Sequence, residues 1–281
     1  MTRLLLCTDL DRTLLPNGPQ PESPLARQRF NQLVAHEHVT LAYVTGRHQA
    51  LVEKAIKNYS IPQPDFVIAN VGATIYQIDN RHWQVWDAWE STIDQDWNGK
   101  SRMEIHELLS EFRDLRLQEV AKQSTHKLSY YVPRYIKQQP LLKQMQDRLE
   151  AAHIRANLIW SVDEQANIGL LDVLPASAGK RQAIEFLMQQ LDYSLQQTVF
   201  AGDSGNDIDV MASPIQSVLV ANASDEVRKA AVTQAHINQQ SDHLYLARGD
   251  YMGMNGNYSA GILEGVAHYL PHTEDWFRGA A

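Results

Sequence analysis

The chain has 281 residues, with 33 acidic against 25 basic for a formal net charge of −8, which disfavours a nucleic-acid partner because phosphate backbones need a basic surface. Hydrophobic residues make up 44% and charged residues 21%, and no apolar stretch approaches the ~20 residues that span a bilayer, so membrane insertion is not expected. The short first apolar run is broken by Asp9 and Asp11 and does not read as a secretory signal, so a cytoplasmic location is expected, and the lone Cys7 excludes an intrachain disulfide.

Leu4–Cys7 reads as a first strand. A helix is predicted over about Pro24–Ala35, where Ala26, Phe30, Leu33 and Val34 form one apolar stripe at i, i+4, i+7 and i+8. Val39–Val44 predicts a second strand, about Gln49–Lys57 a second helix, and Phe66–Asn70 a third strand. Wholly apolar strands joined by amphipathic helices indicate a parallel sheet covered on both faces. Ligands of such sheets gather at the carboxyl ends of the strands.

From about Arg81 the texture changes. Trp83, Trp86, Trp89 and Trp97 crowd together, and a charged helical stretch, Met103–Leu115, follows. The tryptophans suit interdomain packing better than a carbohydrate-stacking platform, since large aromatics usually serve burial. A strand at Lys127–Val132, a helix at about Leu141–Ala152 and strands at Asn157–Val162 and Ile168–Leu174 complete a small α+β insertion over 81–174. The core alternation then resumes with a helix Lys180–Gln190, a strand Thr198–Ala201, a helix Asp207–Ala212, a strand Ser217–Val220 and a last helix Ala260–Tyr269. The fold expected is a Rossmann-like, doubly wound parallel α/β core, 1–80 and 175–281, interrupted once by the inserted domain. Arg248–Ser259, rich in Gly and Asn, is the stretch expected to be most flexible.

Four short segments fall at strand ends of this core. Asp9 and Asp11 lie two apart at the end of the first strand, on one side by strand periodicity. Alone, such a pair is either a loop-capping turn or a catalytic and metal-binding pair. Thr45-Gly46-Arg47 offers a hydroxyl and exposed N–H groups to a phosphate, or is an ordinary helix cap. Lys180 opens a helix, against the helix dipole, and can balance the charge of phosphate and carboxylate together. Gly202-Asp203-Ser204-Gly205-Asn206-Asp207 brings two further carboxylates and the Asn206 amide onto a glycine-rich turn.

Together the segments supply what phosphoryl transfer requires. Asp9 is the expected nucleophile, Asp11 the general acid and then base, with Thr45 and Lys180 completing the catalytic set. Asp9, Asp203 and the main-chain carbonyl of Asp11 are expected to hold Mg²⁺, with Asp207 on a metal-bound water. Thr45, Gly46, Arg47, Gly72 and Asn206 are expected around the substrate. Strand alternation puts Lys127, Ser129 and Tyr131 on one face that could meet a sugar, with Leu128, Tyr130 and Val132 on the other. The eleven histidines show no i, i+4 pair beside an acidic helper, so a histidine metal site is not expected.

D-L-D-R-T, T-G-R, the distal lysine and G-D-S-G-N-D, in this order, resemble the four motifs of the haloacid dehalogenase-like hydrolases. The insertion resembles the cap of the subfamily in which it lies between the second and third motifs. Lys127–Tyr131, Leu171–Pro175, Gly202–Asp207 and Ala260–Gly265 resemble most the sucrose-phosphate phosphatases. The resemblance covers nearly the whole chain. It implies a Mg²⁺-dependent phosphatase acting on a small sugar phosphate, sucrose 6-phosphate first, in sucrose biosynthesis, with association with a sugar-phosphate synthase as a possible partnership. A phosphatase for another disaccharide phosphate such as mannosylfructose phosphate, a phosphosugar mutase, and a non-catalytic phosphosugar-binding regulator are the alternatives. Arg12 departs from the glycine or asparagine frequent in that family and is expected to be tolerated, while Tyr251–Tyr258 is a second departure near the cap.

Overall fold

A computed structural model describes residues 3–163 and 166–279. The first half of the chain forms β1 (Leu4–Thr8), α1 (Ala26–Val34), β2 (Val39–Val44), α2 (Gln49–Tyr59), β3 (Phe66–Ala69), β4 (Thr74–Asp79), β5 (His82–Val85), α3 (Asp87–Asp94), α4 (Arg102–Leu108), β6 (Arg116–Leu117) and β7 (Leu128–Pro133). The second half adds α5 (Gln138–Ala151), β8 (Ala156–Asp163), β9 (Ile168–Pro175), α6 (Lys180–Leu191), β10 (Thr198–Gly202), α7 (Ile208–Met211), β11 (Gln216–Leu219), α8 (Asp225–Ile237), β12 (Leu244–Leu246) and α9 (Ser259–Tyr269).

Eight strands make one sheet in the order β12-β11-β10-β1-β2-β3-β4-β5. The first six run parallel, and the last two return antiparallel as a hairpin on the edge. This is the parallel α/β core expected from the alternation of apolar strands and amphipathic helices. Period two divides β1 between the sheet's faces. Leu4 and Leu6 pack with Phe30 and Leu33 of α1 and Ile262 and Val266 of α9, while Leu5 and Cys7 pack with Ala183, Ile184 and Leu187 of α6. With both faces covered, β1 lies at the centre of the molecule, and its carboxyl end opens where flanking loops converge.

Four antiparallel strands form a second sheet, β6-β7-β9-β8. Leu128, Tyr130 and Val132 of β7 point into its own core with Leu141, Met145 and Leu149 of α5. That is the face division expected from alternation.

Two local readings differ. The change of texture at Arg81 falls inside the β4–β5 hairpin, which carries the large sheet on to Val85. Its turn is the two residues Asn80 and Arg81, both with positive φ, a geometry that matches strand twist but is usually signalled by glycine. The crowded tryptophans serve packing. Trp86 and Trp89 lie against Phe186 of α6, and Trp97 is wholly buried in the core of the second sheet. The glycine-rich stretch Arg248–Ser259 is tied down rather than loose. The Glu264 carboxylate accepts from the N–H groups of Arg248 and Gly249 at 2.8 and 3.0 Å, and Ser23 Oγ accepts from Asn255 N at 2.8 Å.

Candidate active site

Asp9 follows β1 directly, and its N–H donates to the Ala201 carbonyl of β10 at 2.8 Å, which fixes its carboxylate between the two central strands. Lys180, first residue of α6, reaches the same point from the far end of the inserted segment. Its Nζ donates to Asp9 Oδ1 at 2.9 Å, to Asp207 Oδ1 at 2.7 Å and to Asn206 Oδ1 at 3.1 Å. At 3% exposure this ammonium is desolvated, and three oxygen acceptors compensate it. Asp207 Oδ2 in turn accepts from Asp203 N, Ser204 N and Ser204 Oγ at 3.2, 3.0 and 2.9 Å, so Asp207 organises the turn it belongs to. Asp203 Oδ1 accepts from Thr13 Oγ1 at 3.0 Å.

Carboxylate oxygens of Asp9, Asp203 and Asp207 lie within 4.8 Å of one another, and all three residues are buried. One lysine cannot neutralise them. Burial pushes the Asp9 carboxyl up to about 8, with Lys180 pulling it down and Asp207 and Asp203 pushing it further up. Burial, then the Asp207 charge, pushes Asp203 up to about 6. Burial opposes the charge on Lys180, but Asp207 and Asp9 outweigh it and hold the ammonium well above its ordinary value. A buried excess of negative oxygen ligands is the donor set a small divalent cation fits. The Asp11 carboxylate is not in this group; its expected metal contact was through the main chain.

Asp11 points elsewhere, into a fork. Arg47 Nε donates to its Oδ2 at 2.7 Å, Arg47 Nη2 to Oδ1 at 2.6 Å, and Asn17 Nδ2 to Oδ1 at 2.7 Å. Partial burial raises the Asp11 carboxyl, but these donors outweigh it and hold the group below its ordinary value. Asp11 is therefore poised as an acceptor, the state a base needs rather than an acid. Arg12 occupies the left-handed region, φ 58, where an arginine is disfavoured, and it is pinned there. Asn17 Oδ1 accepts from its N–H at 2.8 Å, and its carbonyl accepts from Asn222 Nδ2 at 2.6 Å. Its Nε sits 3.6 Å from Asp203 Oδ2, adding a second cation beside the acidic group.

Above these groups opens a cleft of about 460 Å³. From the large sheet it is lined by Asp9, Asp11, Arg12, Thr45, Gly46, Arg47, Asp203 and Asn206, and from the second sheet and its loops by Gln118, Lys122, Lys127, Ser161 and Asp172. Thr45, Gly46, Arg47, Lys127 and Asn206, all expected around the substrate, thus line this cleft. Lys180 and Asp207 lie beneath the floor.

Two expected substrate contacts do not line the cleft. Gly72 sits under it, its carbonyl accepting from Trp89 Nε1 at 3.0 Å, while Asn70 and Val71 face the opening. Ser129 is wholly buried and donates to Asp172 Oδ1 at 2.5 Å, and Lys127 Nζ lies 3.4 Å from Asp172 Oδ2. Ser129 therefore orients Asp172 on the neighbouring β9. Tyr131, on the same face, donates to Glu119 at 2.9 Å outside the cleft. Asn70, Gln118 and Lys122 on connecting segments and Ser161 and Asp172 on strands β8 and β9 were not among the expected site residues, because no local motif marks an isolated polar residue as facing a cleft.

The parallel core, the inserted second sheet, and Asp9, Lys180 and the Asp203/Asp207 turn at adjoining strand ends define a haloacid dehalogenase-like hydrolase. A family model described as sucrose-6F-phosphate phosphohydrolase matches residues 2–270. The chain belongs to that family, whose members are phosphoric monoester hydrolases. A Nitrosococcus oceani protein described as a HAD-like hydrolase is 51% identical over 274 residues, 98% of this chain and 74% of that one. Sucrose-phosphatase 1 of Nicotiana tabacum is 29% identical over 274 residues, covering 95% of this chain but 59% of its own length, so the chain spans about three-fifths of that relative. Among solved structures, a Synechocystis sucrose-phosphatase in complex with sucrose and phosphate shares the fold, with a TM-score of 0.74 at 24% identity over 96% of this chain and 98% of that one. A haloacid dehalogenase-like hydrolase of Bacillus subtilis shares it at a TM-score of 0.65 and 16% identity, over 95% of this chain and 92% of that one. Among the described residues no helix is long and apolar enough to cross a membrane.

Proposed function

We propose that the chain is a Mg²⁺-dependent phosphatase of a small sugar phosphate, sucrose 6-phosphate first, working through a phosphoryl group carried on Asp9. The observation that carries this reading is the bridge from Lys180 to Asp9 and Asp207 beneath a cleft whose opposite wall is polar. Lys180 holds Asp9 Oδ1, which orients the other oxygen toward the cleft. That oxygen attacks phosphorus, the bond from phosphorus to the sugar oxygen breaks, and the sugar oxygen takes a proton. Asp11 lines the same cleft and can make that transfer once it is released from Arg47 and has taken up a proton, since the fork holds it ionised. The incoming phosphate, a second acceptor for the same guanidinium, is suited to draw Arg47 away. In the second half, Asp11 takes a proton from the water that attacks the Asp9 phosphoryl group, and inorganic phosphate leaves. Thr45 and Gly46 stand at the cleft edge to hold phosphate oxygens. Magnesium, held by Asp9 and Asp203 with Asp207 behind them, would offset the charge that phosphate adds to an already acidic floor.

Residues on the second sheet would read the sugar. Lys127, Asp172, Gln118 and Ser161 offer donors and acceptors suited to hydroxyl groups. On this reading the large sheet is a core, the segment from beyond Val85 through β9 is a cap, and closure of one on the other shields the reaction from water. A cytoplasmic location and association with a sugar-phosphate synthase belong to the same proposal. A glucosylglycerol-phosphate synthase of Pseudomonas anguilliseptica is 29% identical over 217 residues, 77% of this chain and 26% of that protein.

Initial rates of phosphate release over a panel containing sucrose 6-phosphate, mannosylfructose phosphate and small non-glycosidic phosphates test the substrate, and Asp9→Asn tests the chemistry. The disaccharide phosphates are expected to lead, and Asp9→Asn to abolish magnesium-dependent release while leaving the circular dichroism spectrum intact. A preference for small non-glycosidic phosphates would overturn the sugar assignment. Undiminished release by Asp9→Asn would overturn the mechanism.

A further inference from the structure

We propose that Arg12 is a positioning residue of the active site, a built-in cation that weakens the hold of the acidic floor on its divalent metal and strengthens the hold of the metal-loaded floor on phosphate. The inference rests on the reading that such a metal sits on Asp9 and Asp203.

Two cations are divided among the three carboxylates of the floor. Lys180 Nζ donates to Asp9 and Asp207, at 2.9 and 2.7 Å. Asp203, 5% exposed, takes only the neutral hydroxyl of Thr13 on its Oδ1, at 3.0 Å. Among the described residues its one ion pair is with Arg12, whose Nε stands 3.6 Å from Oδ2. That nitrogen has no hydrogen-bond partner, so the guanidinium acts on Asp203 through its charge.

Several contacts keep the cation in this place. At φ 58 the Arg12 backbone takes a conformation that glycine or asparagine adopts at less cost. Asn17 Oδ1 accepts from its N–H at 2.8 Å, and its carbonyl accepts from Asn222 Nδ2 at 2.6 Å. The side chain is held as well, with Nη2 donating to the Asn222 carbonyl at 3.4 Å. Asn222 Oδ1 in turn accepts from Tyr258 N at 2.9 Å, so the two departures noted in the sequence, Arg12 and Tyr251–Tyr258, are joined. Gly18 leaves room for the guanidinium, since a Cβ there would lie 3.4 Å from Arg12 Nε and 2.9 Å from the Tyr258 hydroxyl. Backbone strain kept at a cleft-lining residue and braced from both sides points to a use for its charge.

That use follows from the balance of charge. With Asp9, Asp203 and Asp207 ionised around a divalent cation, Lys180 and Arg12 leave the loaded floor with one net positive charge. Without Arg12 the loaded floor would be neutral. Asp11 and Arg47 form a balanced pair and do not alter the comparison. A guanidinium close to a divalent ion repels it, and the same guanidinium attracts the phosphate that arrives afterwards. The Arg12 side chain, 44% exposed, faces the cleft into which that phosphate comes. Metal affinity is thus exchanged for phosphate affinity at a residue beside a metal ligand.

The test is calorimetric titration of the full chain with Mg²⁺, then of the Mg²⁺-saturated chain with inorganic phosphate, in the parent, Arg12→Asn and Arg12→Lys. Asparagine suits the left-handed backbone, so the first variant removes the charge without adding strain, and the second keeps the charge. Arg12→Asn is expected to bind Mg²⁺ about ten-fold more tightly and phosphate about ten-fold more weakly, with both differences shrinking at high salt. Arg12→Lys is expected to stay within about three-fold of the parent on both. An arginine with a structural role alone would move the two constants in the same direction or move neither. Mg²⁺ affinity unchanged or weakened in Arg12→Asn, or phosphate affinity unchanged, overturns the proposal. A parent chain that binds no Mg²⁺ overturns the metal reading itself and this inference with it.

Discussion

Arg47 and Asp11 form a two-pronged pair, with Nε and Nη2 of the guanidinium reaching separate carboxylate oxygens at 2.7 and 2.6 Å. A lysine cannot reproduce that fork, because its ammonium is a point charge without planar, paired donors. Arg47→Lys is therefore expected to let the Asp11 carboxyl rise toward its ordinary value, read by carboxyl carbon NMR. The same change should lower kcat/KM for a sugar phosphate by roughly ten-fold or more. An unshifted Asp11 titration in the variant would show that the fork does not set its charge.

The acidic floor ties metal binding to pH. Asp9 and Asp203 are both raised on folding, so the folded chain binds protons more tightly than the unfolded one. In the metal-free protein their contribution to stability is complete below the ordinary carboxylate range of about 4. It is lost as pH rises through about 6 for Asp203 and about 8 for Asp9. Magnesium needs the ionised oxygens and competes with those protons. Thermal scans with and without excess magnesium should show a larger gain in Tm at pH 8 than at pH 6. An equal or smaller gain at pH 8 would sink the assignment.

Gly72 and Gly179 cross at close range. Gly72 has φ +99, and a Cβ there would lie 2.3 Å from the carbonyl carbon and oxygen of Gly179. Backbone cannot yield as a flexible side chain can, and Gly179 immediately precedes Lys180. Gly72→Ala is expected to cost about 3 kcal/mol or more, measured by denaturant unfolding. Gly205→Ala, whose Cβ would meet nothing within 4 Å, is the control and should fall within about 1 kcal/mol of the parent.

Asp172, on the cleft wall made by the second sheet, pairs with Lys127 and is held from behind by Ser129. Asp172→Ala leaves a nearly buried ammonium without its partner at the place proposed for the sugar. KM for a disaccharide phosphate should rise about ten-fold, with little change for p-nitrophenyl phosphate, which has no sugar to read. Equal losses on both substrates would point to a structural role for Asp172 alone.

Much of this was legible in the sequence. Periodicity marks β2 to the residue and the apolar stripe of α1, because both follow from which side chains must face a core. Other elements escaped. Helix α8 was passed over although Ser224 stands before Asp225 and Glu226, a start signal the structure uses when Ser224 Oγ accepts from Val227 N at 3.3 Å. The β4–β5 hairpin was hidden because Asn80-Arg81 takes a turn conformation that residue type barely announces.

What the sequence determined by itself was the alternation of the central strands β1, β2, β3, β10 and β11 with helices α1, α2, α6 and α7, and the identity of the four acidic, basic and glycine-rich segments, since hydrophobic period and turn chemistry act over a few residues. Only tertiary structure decided who meets whom. Lys180 and Asp9 are 171 positions apart and touch at 2.9 Å because α6 begins where β1 ends. Ser129 turned inward to Asp172 rather than out to a ligand, and Gly72 went beneath the cleft rather than into its wall. Contacts of that kind depend on how two sheets and their connecting loops pack, and no local pattern of residues carries that distance.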